Sequence, residues 1–167
     1  MGTMNIFVLD QTPELCAKAH CDKHVSKMVL ETAQLLSTCH RTVSPTDFPP
    51  EAYRCSHLNH PCSVFLRDSA SNYRWTFELF KELAAEFQRR YRKVHLSWQK
   101  LGHILTNPPK GLVDVGLTPF RLCMPDQFKV EGDAVKSYRN YYNGAKQHFA
   151  KWEHSPVPDW WNPTNLA

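Results

Sequence analysis

Apolar positions recur along most of this chain with a period close to that of an α-helix, and proline-rich breaks separate the periodic runs. The exception is Asn5-Ile6-Phe7-Val8-Leu9, a short apolar run that predicts an N-terminal strand. Thr12-Pro13-Glu14 supplies a hydroxyl cap, a proline for the first helical position and an early acid, and so predicts a helix start. Helical patterning continues to about Cys39, and Asp22 can cap a restart if the chain bends there. The prolines at 45, 49 and 50 make residues 40–58 a long loop, of a length that often carries function. Helix resumes after His60-Pro61, where Tyr73, Phe77, Phe80, Ala84, Phe87 and Tyr91 share one face and predict the central core helix. A short helix is expected over residues 95–105, then an irregular stretch over 116–126. A last helix from about Gly132 to Trp152 aligns Tyr138, Tyr142, Ala145, Phe149 and Trp152. Pro156, Pro158 and Pro163 exclude helix from the tail, while Trp160 and Trp161 predict that it docks. The expected fold is mainly α: a single-domain helical bundle over residues 4–167 with a short N-terminal strand and long loops, residues 1–3 reading as an added leader.

Within the first long helical run, His20, His24, Lys27, Glu31, Gln34 and Thr38 are spaced four, three, four, three and four apart. At about 100° per residue they stay within one narrow sector. Val25, Val29, Ala33 and Leu36 take the opposite side, and Met28, Leu30 and Leu35 flank the polar line. This pattern predicts a partly enclosed polar site. The alternative is a surface stripe whose Lys27–Glu31 pair contributes about 0.2–0.5 kcal/mol.

Composition narrows the setting. A 167-residue chain with 42% hydrophobic and 12% aromatic residues can build one packed core. The net charge of +4 tolerates a phosphate-rich partner without demanding one. No apolar run approaches the roughly 20 residues of a membrane span, and no signal peptide is evident, so a soluble cytoplasmic protein is expected. The six cysteines sit largely in core-bearing segments, and thiols are expected rather than a disulfide framework.

Asp22-Lys23-His24 places an acid, an amine and a near-neutral base together, a set suited to Schiff-base chemistry on a sugar aldehyde. Its plain alternative is an exposed charged helix start. Cys55, His57, His60 and Cys62 offer four potential metal ligands within eight residues, which His20 and His24 could supplement. The spacing matches no paired Cys-x-x-Cys framework, so no cofactor and no metal are expected. Zinc is the alternative, and otherwise Asn59-His60-Pro61 is a capped helix start. Arg139 and Lys146 on the last helix are candidate phosphate contacts. Tyr142 and Asn59 are candidate contacts to nucleic acid, against the alternatives of a solvated face and an aromatic core.

The runs Met4 to Asp10 (MNIFVLD), His20 to Leu36 (HCDKHVSKMVLETAQLL), Asn59-His60-Pro61-Cys62, Thr118-Pro119-Phe120, Met124-Pro125-Asp126 and Tyr138 to Tyr142 resemble a family of small proteins encoded by tailed bacteriophages. A looser resemblance of layout, a short hydrophobic N-terminus and an Asn-His-Pro segment before a long helix, is to pyrimidine-dimer DNA glycosylases. Those enzymes attack the sugar with an N-terminal amine, use a glutamate, and excise bases and cleave strands through a Schiff base. The expected start at Met4-Asn5 departs from that pattern, so the resemblance implies Lys23 as nucleophile and Glu31 as acid. Together the readings predict a phage protein acting on nucleic acid or nucleotides in the infected cell's cytoplasm. The candidate catalytic residues are His20, Asp22, Lys23, His24, Lys27, Glu31 and His60. The alternatives are a transferase or hydrolase of phosphorylated modified bases, and a non-catalytic binder of a host protein or nucleotide signal.

Overall fold

A computed structural model describes residues 4–163, which contain six α-helices and one 3-10 turn at Asp126–Phe128. The helices are α1 (Pro13–Ala19), α2 (Asp22–Val43), α3 (Pro61–Asp68), α4 (Ala70–Tyr91), α5 (Leu96–Leu101) and α6 (Ala134–Ala145). The mainly α expectation holds. The N-terminal strand does not: residues 4–9 are buried without regular secondary structure, and no strand occurs among the described residues. Side chains and local turns take up the ladder's role. Cys16 donates its thiol to Phe7 O at 2.9 Å, and Leu9 N–H donates to Phe7 O at 3.0 Å. An apolar run buried between helices and the 119–123 segment needs no alternation and no partner strand, which is why its sequence reads as a buried strand.

α1 starts as its sequence dictates, with Thr12 Oγ1 accepting from Leu15 N–H at 3.2 Å and proline in the first turn. The chain then bends at His20-Cys21, both extended in φ and ψ, and restarts at Asp22. Cys21 occupies the cap position; Asp22 lies one residue inside and uses its carboxylate elsewhere. The break is held by Arg90 on α4, whose side chain is wholly buried. Its guanidinium donates to His20 O at 2.8 Å and Lys18 O at 3.0 Å, orphan carbonyls at the end of α1, and to Asp22 Oδ1 at 3.1 Å. Its Nε donates to Glu86 Oε2 at 2.8 Å. Trp152 Nε1 adds a bond to Ala19 O at 3.1 Å.

The expected central helix is interrupted. Ser69 is extended at φ −165° and ψ 143°, ending α3 and capping α4. Its hydroxyl donates to Asp114 Oδ1 at 3.0 Å and accepts from Val115 N–H at 3.0 Å, so the interruption is stabilised by the 111–117 segment. Beyond it, Tyr73, Phe77, Phe80, Ala84 and Phe87 are buried as the periodicity predicts, and α4 packs along α1 and α2. α2 runs past Cys39 to Val43. α6 is shorter than expected at both ends, giving way after Ala145 to a turn closed by Ala150 N–H to Lys146 O at 2.9 Å. The tail docks through Trp161 on Trp152, with ring centroids 4.9 Å apart. No helix among the described residues is long and apolar enough to cross a membrane.

Replacing Arg90 with methionine removes the donor to the carbonyls of Lys18 and His20 and to Asp22 and leaves Glu86 paired with Arg89 alone, and is expected to lower stability by about 3 kcal/mol in denaturant unfolding. Lysine cannot reproduce the forked geometry and should recover less than half of that loss.

Candidate active site

The break before α2 leaves His20 at the end of α1 and the rest of the polar stripe on α2, and the candidate groups fall into three environments. In the middle, Lys27 Nζ lies 3.6 Å from Glu31 Oε2, with the lysine side chain 34% exposed and the glutamate 9%. Glu31 Oε1 is buried without a partner. Burial raises the Glu31 pKa above the ordinary carboxylate range, against the Lys27 charge and the backbone N–H of Asn5, which act in the opposite direction. A carboxyl that holds its proton unusually well beside an amine can exchange that proton with it, the requirement for an acid and a nucleophile to share a site.

At the N-terminal end of the stripe the two histidines face inward. His24 is buried, stacks on Phe7 at 4.4 Å between ring centroids and 18° between planes, and meets Tyr142 OH with Nδ1 at 2.5 Å. Burial, and then the charges of His20, Lys146, Lys27 and Lys23, lower its pKa well below that of a free imidazole. His20 bonds Cys16 O through Nδ1 at 2.7 Å, and burial lowers its pKa to about 4. Both imidazoles are therefore neutral near pH 7. Asp22 and Lys23 point another way, into a depression of about 430 Å³ that also involves Tyr91, Phe149 and His154. Asp22 is engaged by Arg90 and by Glu153 N–H at 2.7 Å, and Lys23 Nζ sits 4.7 Å from the Phe149 ring centroid.

The third environment assembles around Asn5. Its side-chain amide donates to Cys123 O at 2.9 Å, and its Oδ1 accepts from Ile6 N–H at 2.8 Å with Tyr138 OH 2.9 Å away. Cys62 Sγ lies 3.9 Å from the same oxygen and 3.8 Å from Cys123 Sγ. His60 caps α3, its Nδ1 accepting from Cys62 N–H at 3.0 Å. The Cys62 hydrogen bond and, after it, the Tyr138 hydroxyl favour the thiolate of Cys123, the more exposed of the two sulfurs, and its pKa falls. The Cys123 thiol and then burial raise the Cys62 pKa, so Cys123 is the sulfur of the pair that ionises more readily. Asn5, Cys123 and Tyr138 escaped the sequence reading. The one available signal was Asn5, a lone amide inside an apolar run; nothing local marked Cys123.

The candidate nucleic-acid contacts are dispersed. Asn59 is exposed on the loop before α3. Arg139 is committed to Leu9 O at 2.9 Å and Asp10 Oδ2 at 3.2 Å. Tyr142 is wholly buried among His24, Trp160 and Phe7, and Lys146 Nζ lies 4.5 Å from the Tyr141 ring centroid. A larger groove of about 710 Å³ runs past Lys18, Arg89, Arg139 and Trp160, away from the Lys27–Glu31 pair.

The family model described as pyrimidine dimer DNA glycosylase matches residues 4–100, more than half of the chain. The chain belongs to this family. Curated proteins and solved structures gave no match. Membership in the pyrimidine dimer DNA glycosylase family carries a glycosylase-like function and a nucleic-acid partner. The family match includes Asn5, Lys27, Glu31, His60 and Cys62, whereas Cys123 and α6 lie beyond it.

The buried histidines set an acid limit. Below about pH 6.5 the unfolded chain protonates His20, whereas the folded chain does not until about 4. The stability His20 contributes is therefore fully present above 6.5 and declines across that window, by about 3 kcal/mol for a shift of this size. Urea midpoints measured from pH 7 to pH 4 should fall more steeply for the wild type than for His20→Gln.

Proposed function

We propose that this chain is a DNA glycosylase with lyase activity whose reacting groups are the Lys27 amine and the Glu31 carboxyl. The supporting observation is the 3.6 Å approach of Lys27 Nζ to a buried glutamate with a raised pKa. Lys27, once it has passed its proton to Glu31, attacks C1′ of the damaged nucleotide. The glycosidic bond breaks, its electron pair leaves with the base, and the protonated carboxyl neutralises the leaving group. The new ammonium then returns a proton to the Glu31 carboxylate, and the C1′–O4′ bond breaks as O4′ takes that proton, leaving a ring-opened iminium. Its C2′ proton is acidic, and loss of that proton expels the 3′-phosphate and cleaves the strand. Lys23 is the weaker candidate for this role because its amine lies over Phe149 in a depression that Glu31 does not line. The substrate class follows the family, pyrimidine photodimers, and the motif resemblance suggests the cytoplasm of a phage-infected cell as the setting.

A second amine suits the same carboxyl. The backbone nitrogen of Asn5 faces Glu31, so a chain beginning at Asn5 would present its α-amine there, the group the family resemblance implies. The phosphorylated-base and host-binder readings have no comparable observation in their favour.

Borohydride reduction during reaction with ultraviolet-irradiated or abasic duplex should trap a covalent protein–DNA adduct. Peptide mapping should place it on Lys27, or on Asn5 if processing exposes that amine. Lys23→Ala should trap normally. An adduct at Lys23, or no adduct on any such substrate, would overturn the assignment.

Glu31→Gln should reduce trapping by about 100-fold or more. Because the raised pKa means that the ionised carboxylate is disfavoured in the fold, the same variant should melt no lower than wild type at pH 7 and lose any advantage below about pH 4. A variant that traps DNA at the wild-type rate would remove Glu31 from the chemistry.

A further inference from the structure

Outside the Lys27–Glu31 pair, the densest group of potential ligand atoms joins the start of α3 to the 116–125 segment. We infer that His60, Cys62 and Cys123 bind one zinc-class divalent cation, with the fourth coordination position open to water. One ligand atom from each residue lies within 4.8 Å of the other two. The two sulfurs are 3.8 Å apart. A tetrahedral ion with metal–sulfur bonds of about 2.3 Å requires a sulfur–sulfur edge of about 3.8 Å, so the thiols already stand at coordinating separation. A disulfide would instead need them to close to about 2.05 Å and would leave His60 without a part.

The donor set selects the ion. Two thiolates and an imidazole suit zinc-like ions and reject magnesium and calcium, which take oxygen ligands. With both sulfurs ionised and the imidazole neutral, the loaded site carries no net charge, so neighbouring Arg121 and Lys129 do not oppose it. Both sides of the site are fixed in advance. Proline in the first turn of α3 sets Cys62, and Cys123 is held by Asn5 Nδ2 on its carbonyl at 2.9 Å and by its own N–H donating to Tyr138 OH at 3.2 Å. His60 and Cys123 are half-buried, which leaves a path for the ion from solvent. Coordination through His60 Nδ1 would give up its cap bond to Cys62 N–H, whereas coordination through Nε2 would keep it. The bound ion would clamp three segments around Asn5: the N-terminal run, α3 and the segment leading to the 3-10 turn. This assignment does not depend on the glycosylase reading, since metal uptake is measured without DNA.

The test uses the full chain, reduced and stripped with a chelator, then titrated with Co²⁺ and afterwards Zn²⁺. One equivalent of cobalt should produce thiolate-to-cobalt charge-transfer absorption and tetrahedral d–d bands, which zinc should abolish. Cys62→Ser and Cys123→Ser should each weaken binding at least 100-fold. His60→Asn, which keeps an acceptor for Cys62 N–H, should weaken it about tenfold, and Cys55→Ser should leave it unchanged. Zinc should also protect Cys62 and Cys123, but not Cys55, from alkylation in the wild-type chain, a readout independent of whether the variants fold. Absence of the charge-transfer band, equal affinity in Cys123→Ser, or a Cys62–Cys123 disulfide forming in place of metal uptake would overturn the site.

Discussion

The buried guanidinium of Arg90 is the constraint on which the geometry of this protein turns. A helix running unbroken from Pro13 would carry its polar stripe at constant phase from α1 into α2. Arg90 instead holds the carbonyls of Lys18 and His20 and the carboxylate of Asp22, and so enforces two extended residues between the helices. That offset decides what each polar residue around the break can do. His20 and His24 turn into the aromatic core around Phe7, Asp22 and Lys23 open onto an outer depression, and Lys27 and Glu31 keep their mutual approach one turn further on. Burial pushes Glu86 towards protonation, but Arg89 and Arg90 outweigh it and keep it charged, so the α4 end of the clamp remains an ion pair.

Asn5 links the two chemistries that the fold brings together. Its backbone nitrogen addresses the carboxyl on α2, and its side chain binds Cys123 O and approaches Tyr138 OH and Cys62 Sγ. A short amide here does what an apolar residue could not, because it satisfies polar groups from three distant segments inside a buried site. One residue thus touches both the surroundings of the acid and the sulfur cluster.

What was legible in the sequence was what a single helix determines. The Lys27–Glu31 pair follows from a four-residue step, the α4 core face from its aromatic period, and the starts of α1 and α3 from cap and proline chemistry. What was hidden depends on partners far along the chain. Ser69 breaks a helical run because Asp114 and Val115 meet its hydroxyl across the fold. Residues 5–9 look like a strand because burial on all sides gives an apolar run, whereas a strand exists only if another strand pairs with it. Cys123 joins Cys62 across a separation of 61 residues, and no local spacing can announce such a meeting.

The enclosed run from Met4 to Leu9 also bears on how the chain reaches its final form. Beside its local bonds, some reach the other end of the molecule: Asn5 to Tyr138 spans 133 positions, and Leu9 to Arg139 spans 130. These contacts cannot form until α6 has been synthesised, so part of the run's native environment arrives late. Completion of the Glu31 neighbourhood is in this sense a closing event of assembly, in which the two termini of the described chain lock the helices between them.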